Sequence, residues 1–307
     1  AHLLDEATLD LLAQVPAGTF QFEIGVQSTL PQTLSAIGRQ VSLQKLEENV
    51  RVLRRHTPID LHLDLIAGLP GEGYDDFLRS IDRVLDLQPH ELQVELVKLL
   101  PGAPLRRQAT ARGIAFDPHP PYTVLRTPEL SFQQLETLRG ISRLLDLTAN
   151  SGRFRHFLEC LQEACGSLSA GLERIEAYWQ ARELFRHPLS QRGLFERMGE
   201  FVAETFEGPL QDRLREELAR DFALTERVVP EKAPAFFDTA LTAAESARVR
   251  ERVQAETAAV KGQGVKVQHF AAAFDHLHDV PARTVLLYLY LTRTGQGLEV
   301  REIPLSS

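Results

Sequence analysis

The stretch Leu61-His62-Leu63-Asp64-Leu65-Ile66-Ala67-Gly68-Leu69-Pro70-Gly71-Glu72 decides the predicted fold of this chain. Its first part is typical of a strand, in which side chains alternate between two faces. His62 and Asp64 therefore share one face, and the leucines between them share the other. The Gly-Leu-Pro-Gly-Glu segment that follows predicts a turn leading into a helix. A strand covered by helices on both faces is normally apolar on both, so the polar face needs a specific explanation.

The first hundred residues alternate between helical and strand patterns. Stretches with apolar side chains at helical spacing are separated by short stretches in which apolar and polar side chains alternate. The predicted strands are residues 19–26, 59–67 and 91–98, and the predicted helices are residues 5–15, 31–37, 43–57 and 71–87, with Ser42 as an N-cap. This alternation predicts a parallel sheet with right-handed crossovers.

All three predicted strands carry polar side chains on one face. These side chains are Gln21, Glu23 and Gln27 on the first strand, His62 and Asp64 on the second, and Gln93 and Glu95 on the third. An open sheet covered by helices on both sides would need two apolar faces. A barrel whose inner wall lines a ligand cavity explains the pattern better. The alternative is a filled barrel interior in which these polar groups bind one another.

The rest of the chain divides into two further segments. Residues 1–110 form the predicted half-barrel, residues 111–237 a mainly helical cap or substrate region, and residues 238–307 a small α/β unit. The last segment contains one helix, at 241–259, and strands at 265–270, 284–291 and 298–303. Gly295 and Gly297 predict a hairpin turn between the final two strands.

Composition excludes several classes of protein. The net charge is −8 and no basic tract is present, which argues against a protein that follows nucleic-acid phosphates by charge. No apolar run reaches the ~18 residues of a membrane span. Cys160 and Cys165 are the only cysteines, which excludes a disulfide framework and predicts a reducing, cytoplasmic location. Their spacing is poor for metal binding and favours two small buried residues.

Polar groups gather where the predicted strands end, which is where parallel barrels place their active sites. Carboxylates on a strand wall suit hydroxyl or amine donors such as a ribose diol, and Arg39 suits a carboxylate. The backbone of Ile66 and Ala67 can read the edge of an adenine. The residue types therefore suggest a nucleoside that bears a carboxylate and an amine. The groups concerned are Glu23, Gln27, Arg39, Asp64, Gly68, Glu95 and Lys98.

Three motifs in this order resemble the second half of radical S-adenosylmethionine (SAM) enzymes. They are Glu23-Ile24-Gly25-Val26-Gln27-Ser28, then Ile37-Gly38-Arg39, then the segment from Asp64 to Glu72. Their spacing is similar to that of the branch with the oxygen-independent coproporphyrinogen oxidases and the elongator-type enzymes. The resemblance covers residues 1–105 and implies the C-terminal half of a partial (β/α)6 TIM-like barrel. It also implies SAM and a [4Fe–4S] cluster as cofactors, with a flavodoxin or ferredoxin as reductant.

The resemblance assigns expected roles to individual residues. Gln27 would contact the methionine part of SAM, Arg39 its carboxylate, and Asp64 its ribose hydroxyls. Ile66 would present its backbone to the adenine, and the Gly68 turn would close over it. The remaining expected cofactor-binding residues are Glu23, Ser28 and Glu95. The motifs assign no catalytic residue.

A narrower resemblance extends beyond the half-barrel. Residues 98–105, 122–125 and the pair Ser131-Phe132 are similar to the downstream region of cobalamin-binding radical SAM proteins with an uncharacterised C-terminal domain. This implies cobalamin as a further cofactor and cobalamin-dependent methyl transfer as the reaction. Otherwise the implied chemistry is hydrogen abstraction from substrate by a 5′-deoxyadenosyl radical.

One departure from the family pattern is large. The family holds its cluster with a Cys-x3-Cys-x2-Cys loop, and this chain has no such loop. We therefore expect the C-terminal portion of a longer enzyme, unable to hold the cluster alone. Two alternatives stay open, a non-catalytic nucleoside-binding or scaffold protein of this fold, and an unrelated α/β-barrel enzyme using Glu23, Asp64 and Glu95 as acid and base groups. For the segment Asp275-His276-Leu277-His278-Asp279 we expect a turn rather than a metal site.

Overall fold

A computed structural model of the chain describes residues 1–237, 240–277, 281–293, 295 and 297–305. The chain forms two compact units. The first unit comprises Ala1–Ser151 and Cys165–Phe185, and the second comprises Gly152–Ala164 and Arg186–Ser307. The boundaries expected from the sequence near residues 110 and 237 stay predictions, since compactness alone does not define functional domains.

A three-stranded parallel sheet, ordered β1-β2-β3, forms the centre of the first unit. Its strands are β1 (Gln21–Gln27), β2 (Asp60–Ala67) and β3 (Glu91–Leu96). The helices of the unit are α1 (Glu6–Ala13), α2 (Pro31–Ala36), α3 (Leu43–His56), α4 (Tyr74–Leu85), α5 (Pro104–Gln108), α6 (Phe132–Leu147) and α8 (Leu168–Ala181), and a short antiparallel pair is formed by β4 (Ala115–Phe116) and β5 (Val124–Arg126). The predicted parallel alternation is therefore present, and Ser42 caps α3 by accepting a hydrogen bond from Lys45 N at 3.3 Å.

The apolar face of the sheet is fully covered. Leu61, Leu63 and Leu65 of β2 are each 0% exposed. They alternate with half-buried or exposed polar residues, as the sequence pattern predicts for a sheet with one covered face. Helix α4 contributes Phe77 and Ile81, which are also 0% exposed. Because these residues recur at helical spacing, a single stripe of α4 is buried.

The free edge of β3 is capped by polar side chains from α6 and the turn after it. Asn150 Oδ1 accepts a hydrogen bond from Leu92 N at 2.9 Å, and Asn150 Nδ2 donates to Leu92 O at 3.0 Å. Ser142 Oγ donates to Val94 O at 2.7 Å. An uncapped edge strand offers unpaired backbone groups to other strands. These side chains therefore end the sheet at β3.

Replacing Asn150 with alanine is expected to destabilise the first unit by about 1–3 kcal/mol, because both backbone groups of Leu92 lose their partner. Asn150→Asp should destabilise at neutral pH as well, because its second oxygen would face the Leu92 carbonyl and the Asp146 carboxylate, which Asn150 Nδ2 now contacts at 3.0 Å. Trp179 is the chain's single tryptophan and is buried in the first unit, so its fluorescence during urea unfolding reports this change. Equal midpoints for wild type and Asn150→Ala would contradict the capping role.

The second unit combines helices with an antiparallel sheet of order β6-β7-β8. It contains most of α7 (Arg155–Cys165), together with α9 (Gln191–Thr205), α10 (Gly208–Thr225), α11 (Ala243–Ala259), β6 (Val265–Phe274), β7 (Thr284–Arg293) and β8 (Leu298–Leu305). Short 3₁₀ helices lie at Leu184–Arg186 and Pro230–Lys232. The strands follow one another as neighbours, which agrees with the hairpin expected between the final two strands.

Helices cover both faces of this antiparallel sheet. On one face, Val249 of α11 packs with Val285, Leu287 and Leu289 of β7. On the other, the Tyr290 hydroxyl donates to Ala223 O of α10 at 3.1 Å. Alternate side chains of β7 therefore bind α11 and α10, which explains why the strand is apolar on both faces. Among the described residues, no helix is long and apolar enough to cross a membrane.

Candidate functional site

The register of the parallel sheet brings the predicted carboxylates together on one face. Glu23 lies opposite His62, Asp64 lies between Gly25 and Gln93, and Ile66 lies opposite Glu95. Since paired residues of parallel strands point to the same side, these residues form successive rows on the polar face. This face is exposed or half-buried, whereas the opposite face is covered.

Asp64 is the central group of this face. Burial raises the pKa of its carboxyl, and the neighbouring Glu23 carboxylate raises it further. The side chain of Asp64 makes no hydrogen bond or ion pair within the described part of the chain. His62 lies 3.0 Å from Gln21 Nε2 and 3.4 Å from Glu91 Oε2, both measured from His62 Nδ1. Asp64 thus presents unpaired acceptors, which suits hydroxyl donors.

Gln27 and Arg39 meet over Gly25. The register shifts between Gly25 and Gln27, and Gln27 has a φ of 72°. Arg39 Nη2 donates to the carbonyl of Gly25. A Cβ at position 25 would lie 2.3 Å from Gln27 Nε2, so only glycine permits this arrangement. Left-handed backbone at a non-glycine residue stores about 1 kcal/mol or more of strain and is concentrated at functional sites.

Two predicted residues do not lie on the polar face. Ser28 is 0% exposed, and its hydroxyl donates to Glu72 Oε1 at 2.9 Å. Gly68 adopts a φ of 91°, and a Cβ there would lie 3.5 Å from Val124 Cγ1. The expected cofactor contact of Ser28 is therefore unsupported by its position, because the hydroxyl serves an internal bond. The Gly68 turn is covered by protein side chains at the same point.

A cavity of about 780 Å³ lies at the ends of β2 and β3. Ile66 and Glu95 line it, together with Gly38, Lys98 and Leu99. The volume is within the range of small-molecule sites, about 300–1,000 Å³. Arg39 lines a separate cavity of about 500 Å³ with the other residues that follow α2. The structure thus places Ile66 and Glu95 at one cavity and Arg39 at another.

The wall of the larger cavity includes residues that the sequence did not single out. Gln108 and Arg112 line it from α5 and the turn after it. Arg106 holds this wall, because its Nη1 donates to Leu99 O at 2.6 Å and its guanidinium lies 4.9 Å from the Phe116 ring centroid and 4.7 Å from that of Tyr122. This stretch has neither helical nor strand periodicity, so no pattern in the sequence marks it.

No metal site is formed by the residues that the structure describes. The sequence holds two cysteines, fewer than the three that the family's cluster loop supplies. Among the described residues, no group of three or more His, Cys, Asp or Glu is arranged to hold a metal ion. His276 follows the end of β6, and its backbone N–H donates to Glu216 Oε2 at 2.7 Å. His278 and Asp279, the rest of that motif, lie outside the described residues.

The sequence matches a protein family described as a protein of unknown function (DUF4080) over residues 111–272. That range is more than half of the 307 residues. The chain belongs to the DUF4080 family. The match begins at residue 111 and extends beyond the helical region predicted for residues 111–237.

Curated relatives of the DUF4080 chain include two kinds of enzyme. A probable threonylcarbamoyladenosine tRNA methylthiotransferase of Pyrococcus horikoshii is 35% identical over 78 residues, which are 25% of this chain and 18% of that protein. The oxygen-independent coproporphyrinogen-III oxidase-like protein HemZ of Bacillus subtilis is 32% identical over 87 residues, which are 28% and 17% of the two chains. The matched stretches therefore span less than one fifth of these relatives.

Solved structures with similarity include the coproporphyrinogen III oxidase HemN of Escherichia coli, a radical SAM enzyme. It is 21% identical, with a TM-score of 0.34 over 46% of this chain and 30% of HemN. The radical SAM methyltransferase TsrM of Kitasatospora setae, solved with cobalamin and a [4Fe–4S] cluster, is 21% identical, with a TM-score of 0.33 over 39% of this chain and 25% of TsrM. The relatives confirm the resemblance to the branch that contains the oxygen-independent coproporphyrinogen oxidases, and the chain is a mixed α/β protein.

Proposed function

We propose that the first unit carries one wall of a SAM site and belongs to a radical SAM enzyme of greater length. In this proposal β1, β2 and β3 are the C-terminal half of a partial (β/α)6 barrel. The unpaired, half-buried Asp64 carboxylate is the observation that supports it most directly, since both of its oxygens are open to hydroxyl donors of a ligand. Its neighbours Glu23 and Glu95 share the same face of the sheet.

The groups present fit parts of SAM. Asp64 would accept hydrogen bonds from the ribose hydroxyls, and Ile66, at the cavity of about 780 Å³, would contact the adenine. Gln27, held over Gly25, would bind the methionine part. Arg39 Nη2 donates to the Gly25 carbonyl, so Arg39 would bind the carboxylate of SAM either by breaking this bond or by donating from its other nitrogens. Ser28 and Gly68 act through the fold of the turn and do not touch the ligand.

When bound in the intact enzyme, SAM would supply a 5′-deoxyadenosyl radical through a [4Fe–4S] cluster whose ligands lie outside this chain. A flavodoxin or ferredoxin is the proposed reductant, and the cytoplasm the proposed location. The motif at residues 98–105 supports cobalamin-dependent methyl transfer as the more specific proposal. This chain's own contribution is to bind and orient the nucleoside, with the DUF4080 region recognising substrate.

Titration calorimetry with SAM tests the site. We expect Asp64→Asn to weaken SAM binding about 10- to 100-fold, because hydrogen bonds to a charged acceptor contribute about 1.5–3 kcal/mol. Asp60→Asn is a matched control, since Asp60 lies on the same face of β2 at the opposite end of the strand. Asp60→Asn should bind like wild type, whereas equal affinities for Asp64→Asn and Asp60→Asn would remove Asp64 from the site.

A further inference from the structure

Arg112 lines a cavity, and the proposed SAM site assigns it no contact. It follows α5 and lines the cavity of about 780 Å³, together with Lys98 and Glu95. It also lines a second cavity of about 300 Å³, whose wall includes Pro70, Gly71 and Glu129. Both cavities belong to the first unit. The side chain therefore borders space on two sides.

The guanidinium of Arg112 is oriented but not neutralised. Its Nε donates to Gln108 Oε1 at 2.9 Å. Within residues 1–237 and the other described ranges, no carboxylate lies within 4.0 Å of it and no second hydrogen bond is made. A guanidinium has five N–H donors in a fixed planar fork. Four of them stay available for a ligand.

The charged residues of the cavity wall also favour an anionic ligand. Lys98 Nζ lies 2.8 Å from Glu95 Oε2, so this cation and carboxylate balance one another. Arg112 then leaves a formal charge of one positive unit on the wall. Most of the remaining lining is apolar, with Leu69, Leu96 and Leu99 among its residues. An apolar cavity with one oriented cation suits an amphiphilic anion.

We propose that Arg112 binds the oxyanion of a ligand whose apolar part occupies the larger cavity. The planar fork matches a carboxylate or a phosphate, which accept two parallel N–H bonds. Arg106 holds the wall that carries Arg112, because it donates to Leu99 O and lies against two aromatic rings. This anion subsite shares the larger cavity with the adenine contact proposed at Ile66, but it does not depend on Asp64 or Gln27.

The probe is 8-anilino-1-naphthalenesulfonate, an apolar fluorescent anion, with the neutral dye N-phenyl-1-naphthylamine as its uncharged counterpart. We expect Arg112→Gln to weaken binding of the anionic dye about tenfold and to leave the neutral dye unchanged. Arg107→Gln is the matched control, because Arg107 is exposed on α5 and donates to Gly102 O at 3.0 Å. Glu95→Gln frees Lys98 and should strengthen binding of the anion.

Competition identifies the anion. Displacement of the dye by octanoate favours a carboxylate ligand, and displacement by octyl phosphate favours a phosphate ligand. Displacement by 1-octanol at the same concentration would show that charge has no role and would overturn the proposal. The proposal would also be overturned if Arg112→Gln weakened binding of the anionic and the neutral dye equally. Trp179 fluorescence verifies that each variant is folded, and SAM binding is measured separately, so failure of one proposal leaves the other intact.

Discussion

Asp221→Ala is expected to destabilise the second unit by about 3–5 kcal/mol, the range for removing one partner of a buried charged pair. Asp221 of α10 is 2% exposed. Its Oδ1 lies 2.7 Å from His156 Nδ1 and accepts a bond from His156 N at 3.2 Å, and its Oδ2 accepts from Phe157 N at 2.8 Å. The substitution therefore leaves two backbone donors and an imidazole without their partner.

The position of Asp221 explains the size of this effect. His156 and Phe157 lie in the first turn of α7, where backbone N–H groups have no partner within the helix. A carboxylate at a helix N-terminus both accepts these bonds and interacts favourably with the helix dipole. Because the carboxylate comes from α10, the same contact fastens α7 to the rest of the second unit.

Urea unfolding followed by circular dichroism measures the change, and hydrogen exchange at His156 and Phe157 locates it. Asp221→Asn keeps one acceptor oxygen and should lose about half as much stability. Asp212→Ala on the same helix is the control, because its ion pair with Arg215 at 3.0 Å is at the surface and should contribute below about 1 kcal/mol. Similar losses for Asp221→Ala and Asp212→Ala would refute the capping role.

The hydrogen-bonded pair of Asp221 and His156 makes the stability of the second unit depend on pH. Its hydrogen bond to Asp221 raises the pKa of His156 above the ordinary value of 6.5. A cation whose pKa is raised on folding contributes its full stabilisation below the unfolded pKa. The contribution is lost as pH rises through the folded pKa. The excess stability of wild type over Asp221→Ala should therefore be larger at pH 6 than at pH 9.

The sequence predicts much of the fold because its main signals are local. Alternation of apolar and polar residues places Leu61, Leu63 and Leu65 on the covered face of β2 and Asp64 on the other. Local rules also place the start of α3, where Ser42 accepts a hydrogen bond from Lys45 N. The rows of polar residues across the sheet follow from the same alternation, because the strands are parallel and their register places polar residues beside polar residues.

The parts that the sequence does not predict depend on contacts between distant residues. Ser28 follows Gln27 in the motif, but its hydroxyl donates a hydrogen bond to the buried Glu72, which lies 44 residues further along the chain. The cap of α7 comes from Asp221, which lies 64 residues beyond Phe157. Arg112 follows α5 in a stretch that is held by hydrogen bonds to Gln108 and by the contacts of Arg106 with Leu99 and two aromatic rings. No local period marks such contacts, so the sequence does not predict the Ser28–Glu72 bond or the place of Arg112 on the cavity wall.

Stability of the first unit is expected to fall by about 3 kcal/mol between pH 4.5 and pH 7 through a single side chain, Glu72. Glu72 is 0% exposed, and burial raises its pKa from 4.5 to about 7. Its Oε1 accepts hydrogen bonds from Ser28 Oγ at 2.9 Å and Ser80 Oγ at 3.0 Å, which partly offset this rise. Its Oε2 has no hydrogen-bond partner among the described residues.

The sign follows from proton linkage. Below pH 4.5 the carboxyl is protonated in both the folded and the unfolded chain, so it adds no pH dependence there. Between 4.5 and about 7 the unfolded chain releases the proton while the folded chain retains it, and the free energy of unfolding decreases. Above pH 7 the folded chain holds a buried carboxylate, and the full destabilisation is present.

Glu72→Gln removes this dependence while keeping an oxygen that can accept the Ser28 and Ser80 hydroxyls. The free energy of unfolding, followed by Trp179 fluorescence in urea at several pH values, should decrease with pH in wild type relative to Glu72→Gln. Glu48→Gln on α3 is the control, because Glu48 is exposed and its replacement should shift stability by a nearly constant amount. A constant difference between wild type and Glu72→Gln from pH 4.5 to 8 would exclude a buried neutral carboxyl.

Ionisation of Glu72 should also loosen the turn that carries Gln27, since Ser28, which donates to Glu72, directly follows Gln27. At the proposed SAM site, SAM affinity should therefore decrease above pH 7 in wild type but not in Glu72→Gln.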